Sequence, residues 1–301
     1  MEIKQNKEII QTKLKKVKKI SLTDIILYGI LSIFALIVLV PLIWVIFQSF
    51  KEKTEFFGYS SWTLPKGLYF QNYVNAWVEA GMSDYFFNTI LVTALALFFV
   101  TVLSIPCAYA LSRYQFKGSK LLTTLLMGGI FINVNYIVIP IYTMITKFGR
   151  AMGIRGLVNN LVVLALIYAV TSVPFAVYLL SGFFKTMQHE YEEAAKIDGC
   201  GYFGTLTKVM IPLAKPSIVT VILFNFLKFW NEYIIGVTFI SDPKKWTLSI
   251  GLLNIMEVER TANDYGRMYA GLVIAMLPTI ILYCIVQKKL TEGINVGGIK
   301  G

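Results

Sequence analysis

Residues 190–212 read Glu190-Tyr191-Glu192-Glu193-Ala194-Ala195-Lys196-Ile197-Asp198-Gly199, then Cys200 to Met210, then Ile211-Pro212. Long apolar runs flank them, Leu157–Phe183 before and Ser217–Ile240 after. Three acids at Glu190, Glu192 and Glu193 favour a helix N-terminus. Ala194 and Ala195 favour helix and let another backbone come close. Gly199 can take the left-handed conformation that stops a helix. Thr186 is the expected N-cap, and a second short helix is expected from Tyr202 to about Val209, ending before Pro212. A charged helix–turn–helix between two apolar runs is a handle for a partner outside the lipid, or an interfacial loop with no partner.

The rest of the chain decides what the handle serves. It has 301 residues, 56% hydrophobic and only 15% charged, where a soluble domain carries about 25% charged residues. Apolar runs of 20 or more residues point to an all-α polytopic membrane protein and not to a barrel of short alternating strands. Six such runs are expected to span: Ile25–Phe47, Phe86–Leu111, Leu121–Ile145, Leu157–Phe183, Ser217–Ile240 and Met268–Gln287. Five carry an internal proline (Pro41, Pro106, Pro140, Pro174, Pro278), so kinks are expected. The first run is too long for a cleaved signal peptide.

Charge placement gives the expected orientation. Of 28 basic residues, seven precede residue 20, and with the N-terminus inside, 17 lie on inside segments against 10 outside. That predicts a cell-membrane protein with both termini cytoplasmic. A basic tail ahead of a span is a lipid-facing anchor, so no nucleic acid is expected. The expected organisation is a tail at 1–24, the first span and an outer segment at 25–85, a core at 86–287 holding the loop 186–212, and a cytoplasmic tail at 288–301. Aromatics of the outer segment (Phe56, Phe57, Tyr59, Trp62, Tyr69, Phe70, Tyr73, Trp77) are expected as interfacial anchors.

Catalysis has little to stand on. Cys107, Cys200 and Cys284 form no CxxC or Cys/His cluster, and His189 is the only histidine. No metal site, catalytic residue or nucleotide-binding glycine loop is expected. If ATP drives this protein, another chain hydrolyses it.

The loop resembles the EAA motif of ABC-transporter permeases: Glu193-Ala194-Ala195, three residues, Gly199, nine residues, then Val209, Ile211 and Pro212. Asp198 before the glycine is similar to the carbohydrate-uptake, maltose-type branch. So are Val173-Pro174-Phe175, Gly182-Phe183-Phe184-Lys185, Phe229-Trp230-Asn231-Glu232-Tyr233, Trp246-Thr247-Leu248 and the ending Gly297-Gly298-Ile299-Lys300-Gly301. Met187-Gln188 and Asn133-Val134-Asn135 depart from that pattern. The resemblance covers nearly everything after Phe86 and implies the six-span, MetI-like type I importer fold. It implies a sugar-importing permease working by alternating access with a second permease, two ATPase subunits that hold ATP and Mg, and an extracytoplasmic sugar-binding protein. Glu190, Glu192, Glu193, Ala194, Ala195, Asp198 and Gly199 would couple to the ATPase. The alternatives are a permease for another solute, or a membrane scaffold or sensor without transport.

Polar residues within apolar runs are costly and often functional. Asn225, Lys228, Asn231 and Glu232 in the fifth run, with Trp230 beside them, and Asn133 and Asn135 in the third, are candidates for a translocation path. Lys228 and Glu232 stand four apart on one helical face and can pair, as a structural ion pair or as groups lining the path. Between the fifth and sixth runs, 241–267 reads as a folded-back loop or short helix. There the resemblance makes Asn254, Glu257, Glu259 and Arg260 candidates for contact with the binding protein.

Overall fold

The computed structural model describes residues 21–57, 60 and 62–297. The basic tail, Tyr59 and the last four residues lie outside them. Among the described residues there are helices and turns and no strand. By contacts the chain divides after Phe47 into two compact units. The first holds most of α1 (Leu22–Gln48), a 27-residue apolar helix with Pro41 inside it.

The second unit is built on two parallel helices, α2 (Met82–Arg113) and α5 (Leu161–Thr186). Small residues let them close: Ala96, Ala108, Ala165, Ala169 and Ala176 are fully buried, and the Ser181 hydroxyl reaches the Ala108 carbonyl. Their shared core takes in Leu164, Val177, Leu180 and Phe184. Deep burial of aliphatic and aromatic side chains at native packing density is what fixes one arrangement of the bundle.

Parallel α2 and α5 require an odd number of crossings between them. The expected third span delivers one, as two helices: α3 (Ser119–Ile130) and α4 (Val134–Ala151), bent by 110°. The kink expected in Leu121–Ile145 is present, but it falls at 131–133 and not at Pro140, which lies inside α4. Gly129 lies against Pro174 of α5, where a Cβ would sit 3.0 Å from the ring. Four residues later Asn133 starts α4 afresh, its side chain accepting from the Asn135 N–H. Local capping wins over apolar composition at that point.

After α5 come α6 (Glu190–Ile197) and α7 (Tyr202–Leu213), then a 78° turn into α8 (Lys215–Trp230). The fifth span also stops short of its expected end at Ile240. Glu232 accepts from the N–H groups of Ile235 (2.7 Å) and Gly236 (3.0 Å), starting a separate helix, α9 (Ile234–Phe239). The Lys228–Glu232 pair that the spacing allows does not form, because the glutamate serves that cap and Lys228 Nζ donates to Ser172 Oγ at 2.8 Å. Next are α10 (Leu248–Ala262) and α11 (Tyr265–Gly297). α11 runs ten residues beyond the expected span end at Gln287. Among the described residues, four helices are long and apolar enough to span, or six when each bent pair is counted as one, and the parallel α2 and α5 favour the second count for α3 and α4.

The segment between α1 and α2 packs with this second unit. Asn72 donates to the carbonyls of Ser49 and Lys51, and Gly266 of α11 is seated against both groups. Phe56 lies on Tyr265 and Tyr269, Tyr73 on Phe50, and Trp77 on Phe86. Those three aromatics are thus protein contacts and not the interfacial anchors expected, whereas Phe57, Trp62, Tyr69 and Phe70 are exposed. The loop after α9 is tied to the start of α5 by Asn159, whose side chain accepts from the N–H groups of Ser241 and Asp242.

Candidate functional site

The loop that carries α6 and α7 is held by one arginine. Arg113 ends α2, and its side chain is 2% exposed. Its Nη2 donates to the carbonyls of Met187 (2.7 Å) and Gln188 (3.3 Å), the linker between α5 and α6. Its Nε stands 3.1 Å from Glu192 Oε1, an ion pair off the line of a hydrogen bond. His189 completes the group. Its Nε2 stands 3.2 Å from Arg113 Nη1, and its Nδ1 faces Glu192 Oε2 at 3.4 Å. Around the cluster, Tyr109 packs edge-on to Phe184 and Tyr114 and tilted on Tyr202.

This arrangement corrects three expectations. Thr186 does not cap α6: it is the last residue of α5, its hydroxyl donating to Phe183 O. His189 occupies the N-cap position, and the acids of the first turn face the helix's open amides. Glu192 points inward, as does Ala195, at 7% and 4% exposure. The helix stop is as expected, with Gly199 at φ +78°. α7 continues past Val209 to Leu213, with a wide π-turn at Leu206–Met210 ahead of Pro212.

What remains on the open face is Glu190, Tyr191, Glu193, Ala194, Lys196, Ile197, Asp198 and Phe203. Ile197 is 87% exposed and Phe203 72%. Both are large apolar side chains on a face that also carries Glu190, Glu193, Lys196 and Asp198.

The polar residues of the spans fall into two sets. Asn225 is buried and bonds back to Val221 O, and Trp230 is buried with Nε1 donating to Ala275 O. Both support packing. Lys228, Asn231, Asn133 and Asn135 lie on exposed flanks. Trp230 lies level with Ala275, ten residues along α11, about 15 Å below its start. Lys228 and Asn231 therefore lie beside the apolar length of α11 and not beyond its end.

On the far side, α10 is a helix and not a loose loop. Glu257 and Arg260 are exposed and Asn254 is half-buried, but Glu259 is turned inward at 4% exposure. It meets Arg267 Nη1 at 3.2 Å, and the same guanidinium meets Glu79 at 3.1 Å and Asp264 at 3.3 Å. Burial pushes the Glu259 carboxyl above its usual range, against the pull of Arg267 and with the push of Asp264. The folded state then holds the Glu259 proton more tightly than the unfolded chain does. Stability from this group is present below the ordinary glutamate pKa and is lost as pH rises through the raised value. A pH series of thermal unfolding is expected to show a decline over that window that Glu259→Gln flattens. An identical pH profile in the variant would remove Glu259 as its source.

Sequence reasoning found the short helices and the Gly199 stop of the 190–212 loop but missed Arg113, which it counted only as one inside charge. The signal available was position: an arginine closing the span that runs beside the loop's own.

Residues 82–294 match the family described as the inner membrane component of binding-protein-dependent transport systems. The chain is 33% identical to the diacetylchitobiose uptake system permease protein NgcG of Streptomyces coelicolor, over 90% of this chain and 87% of that protein. It is 32% identical to the probable ABC transporter permease protein YurM of Bacillus subtilis, over 97% and 94%. Its fold is similar to a chain of a bacterial ABC transporter involved in alginate import, at TM-score 0.75 and 24% identity, covering 90% of this chain and 97% of that one.

Proposed function

This chain belongs to the family of inner membrane components of binding-protein-dependent transport systems, and from that membership we propose that it is the permease subunit of an ATP-driven carbohydrate importer. It is a multi-pass membrane protein and a transport component. The carbohydrate assignment is supported by the relative that takes up diacetylchitobiose and by others named for melibiose, raffinose and stachyose or for multiple sugars. An oligosaccharide cargo fits those names better than a non-sugar solute does, and no relative favours a scaffold or sensor.

The observation that carries the mechanism is the clamped coupling loop with its open face. A separate ATPase pair, holding ATP and Mg, docks on Glu193, Ala194, Ile197 and Phe203. Its closure pushes α6, and Arg113 passes the push to α2, α5 and the bundle. A second permease supplies the other half of the path. Lys228, Asn231, Asn133 and Asn135 face that chain or the path, since charged and amide groups at membrane depth are costly against hydrocarbon. The binding protein delivers sugar on the side of α10, where Asn254, Glu257 and Arg260 are the contact candidates. The excess of basic residues on the segments read as inside assigns both termini to the cytoplasm.

Charge reversal at the open face tests the coupling. Glu193→Lys in the reconstituted complex is expected to lower sugar uptake at least about tenfold while the chain still assembles in the membrane. Wild-type uptake and wild-type sugar-stimulated ATP hydrolysis in that variant would remove the loop from the coupling path.

A further inference from the structure

Beside the clamp lies a cavity of about 1060 Å³ that the coupling mechanism does not use. It opens where α2 ends, α3 begins and α5 ends, and Arg113, Lys117, Ser119, Lys120, Lys185 and His189 line it. No carboxylate does. Arg113 is balanced by Glu192, but none of the ion pairs among the described residues includes Lys117, Lys120 or Lys185. Three lysines thus surround one polar cavity without a counter-charge.

The adjoining surface is of the opposite character. Directly along α3 from this first turn, Leu121, Leu122 and Leu125 are exposed at 65%, 41% and 64%, and Phe116 at 45%. Leu121 and Leu125 are one turn apart on one face. A soluble anion would use the lysines and leave the leucines bare. A molecule with a phosphate at one end and acyl chains at the other would cover both.

We infer that this cavity binds the headgroup of an anionic phospholipid, with the phosphate among Lys117, Lys120 and Lys185 and the acyl chains along Leu121 and Leu125. Basic pockets at the cytoplasmic ends of spans hold such headgroups because each lysine gains from the anionic surface in a low-dielectric setting. The inference rests on the orientation proposed above, which places these helix ends at the cytoplasmic leaflet. Since Arg113 and His189 belong to both the cavity wall and the coupling clamp, a bound headgroup would stiffen the clamp from its lipid side.

The test uses the complete complex in nanodiscs of phosphatidylcholine doped with phosphatidylglycerol, with retained lipid counted by native mass spectrometry. Wild type is expected to keep phosphatidylglycerol selectively. Lys117→Gln, Lys120→Gln and Lys185→Gln together should weaken retention by about fivefold per lysine, and the three Lys→Arg changes should preserve it. Equal retention by the glutamine variant overturns the inference. So does complete displacement by inorganic phosphate, which would make this a site for a soluble anion. Loss of the ATPase from the glutamine variant with lipid retention unchanged also overturns it, because a protein partner would then own the surface. A separate arm isolates the orientation: a cysteine at Lys117 should react with an impermeant thiol reagent in inside-out vesicles only. Reaction from the outer side would sink the orientation and, with it, the leaflet assigned here.

Discussion

Arg113→Ala is expected to destabilise the chain by about 3 kcal/mol and to abolish coupled uptake. The alanine leaves the Glu192 carboxylate, 9% exposed, without its guanidinium, with His189 and the Tyr109 hydroxyl beside it. It also strips the carbonyls of Met187 and Gln188 of their donor. Removing one partner of a buried pair costs about 3–5 kcal/mol, because the survivor stays desolvated. The low end applies here, since α6 lies at the protein's edge and water can enter. The double change Arg113→Met, Glu192→Met should recover much of the stability, as replacing both charges removes the unpaired one. It should not recover uptake, because the methionines make no bond to the Met187 and Gln188 carbonyls. Thermal unfolding and sugar-stimulated ATP hydrolysis on the purified complex separate the two effects. Full uptake in the double variant would show that α6 needs no polar tie to α2.

Gly251→Ala is the second large effect expected, on the opposite side of the molecule. Gly251 is buried in α10, and a Cβ there would land inside the Tyr85 ring of α2. The ring is itself buried, 8% exposed, in the cluster of Met82, Trp230, Leu248 and Ile255. It cannot swing clear as the end of a flexible side chain could. Overpacking of this kind costs about 1–3 kcal/mol or moves the helix. Because Thr89 Oγ1 accepts from the Leu248 N–H at 2.6 Å, the shift would break the tie that starts α10. Uptake should fall, while ATP hydrolysis without sugar stays near wild type, since the coupling loop lies at the far ends of α2 and α5. An unchanged melting temperature would mean that α10 accommodates a methyl group and is looser than its packing implies.

The sequence by itself determined the class of fold and the place of the charged helix–turn–helix after α5. Six apolar runs, an acidic first turn, two alanines and Gly199 are local signals, and each acts within one turn of helix or one span of lipid. Burial in hydrocarbon forces helix wherever a run is long enough, so composition alone is sufficient there. The Gly199 stop needs only its own positive φ. Tertiary structure decided the rest. Whether Leu121–Ile145 is one helix or two depended on Gly129 meeting Pro174, a residue 45 positions away whose ring no local pattern reports. Glu232 looked like the partner of Lys228 at helical spacing, but α8 ends before that spacing can operate, and the cap on α9 takes the carboxylate. Glu192 and Glu259 look from sequence like their neighbours Glu193 and Glu257. Only the positions of Arg113 and Arg267, brought in from other helices, turn the first pair inward and leave the second outside. The roles of Glu192 and Glu259 are set by the guanidinium that reaches each, and those distances exist only after the bundle has packed.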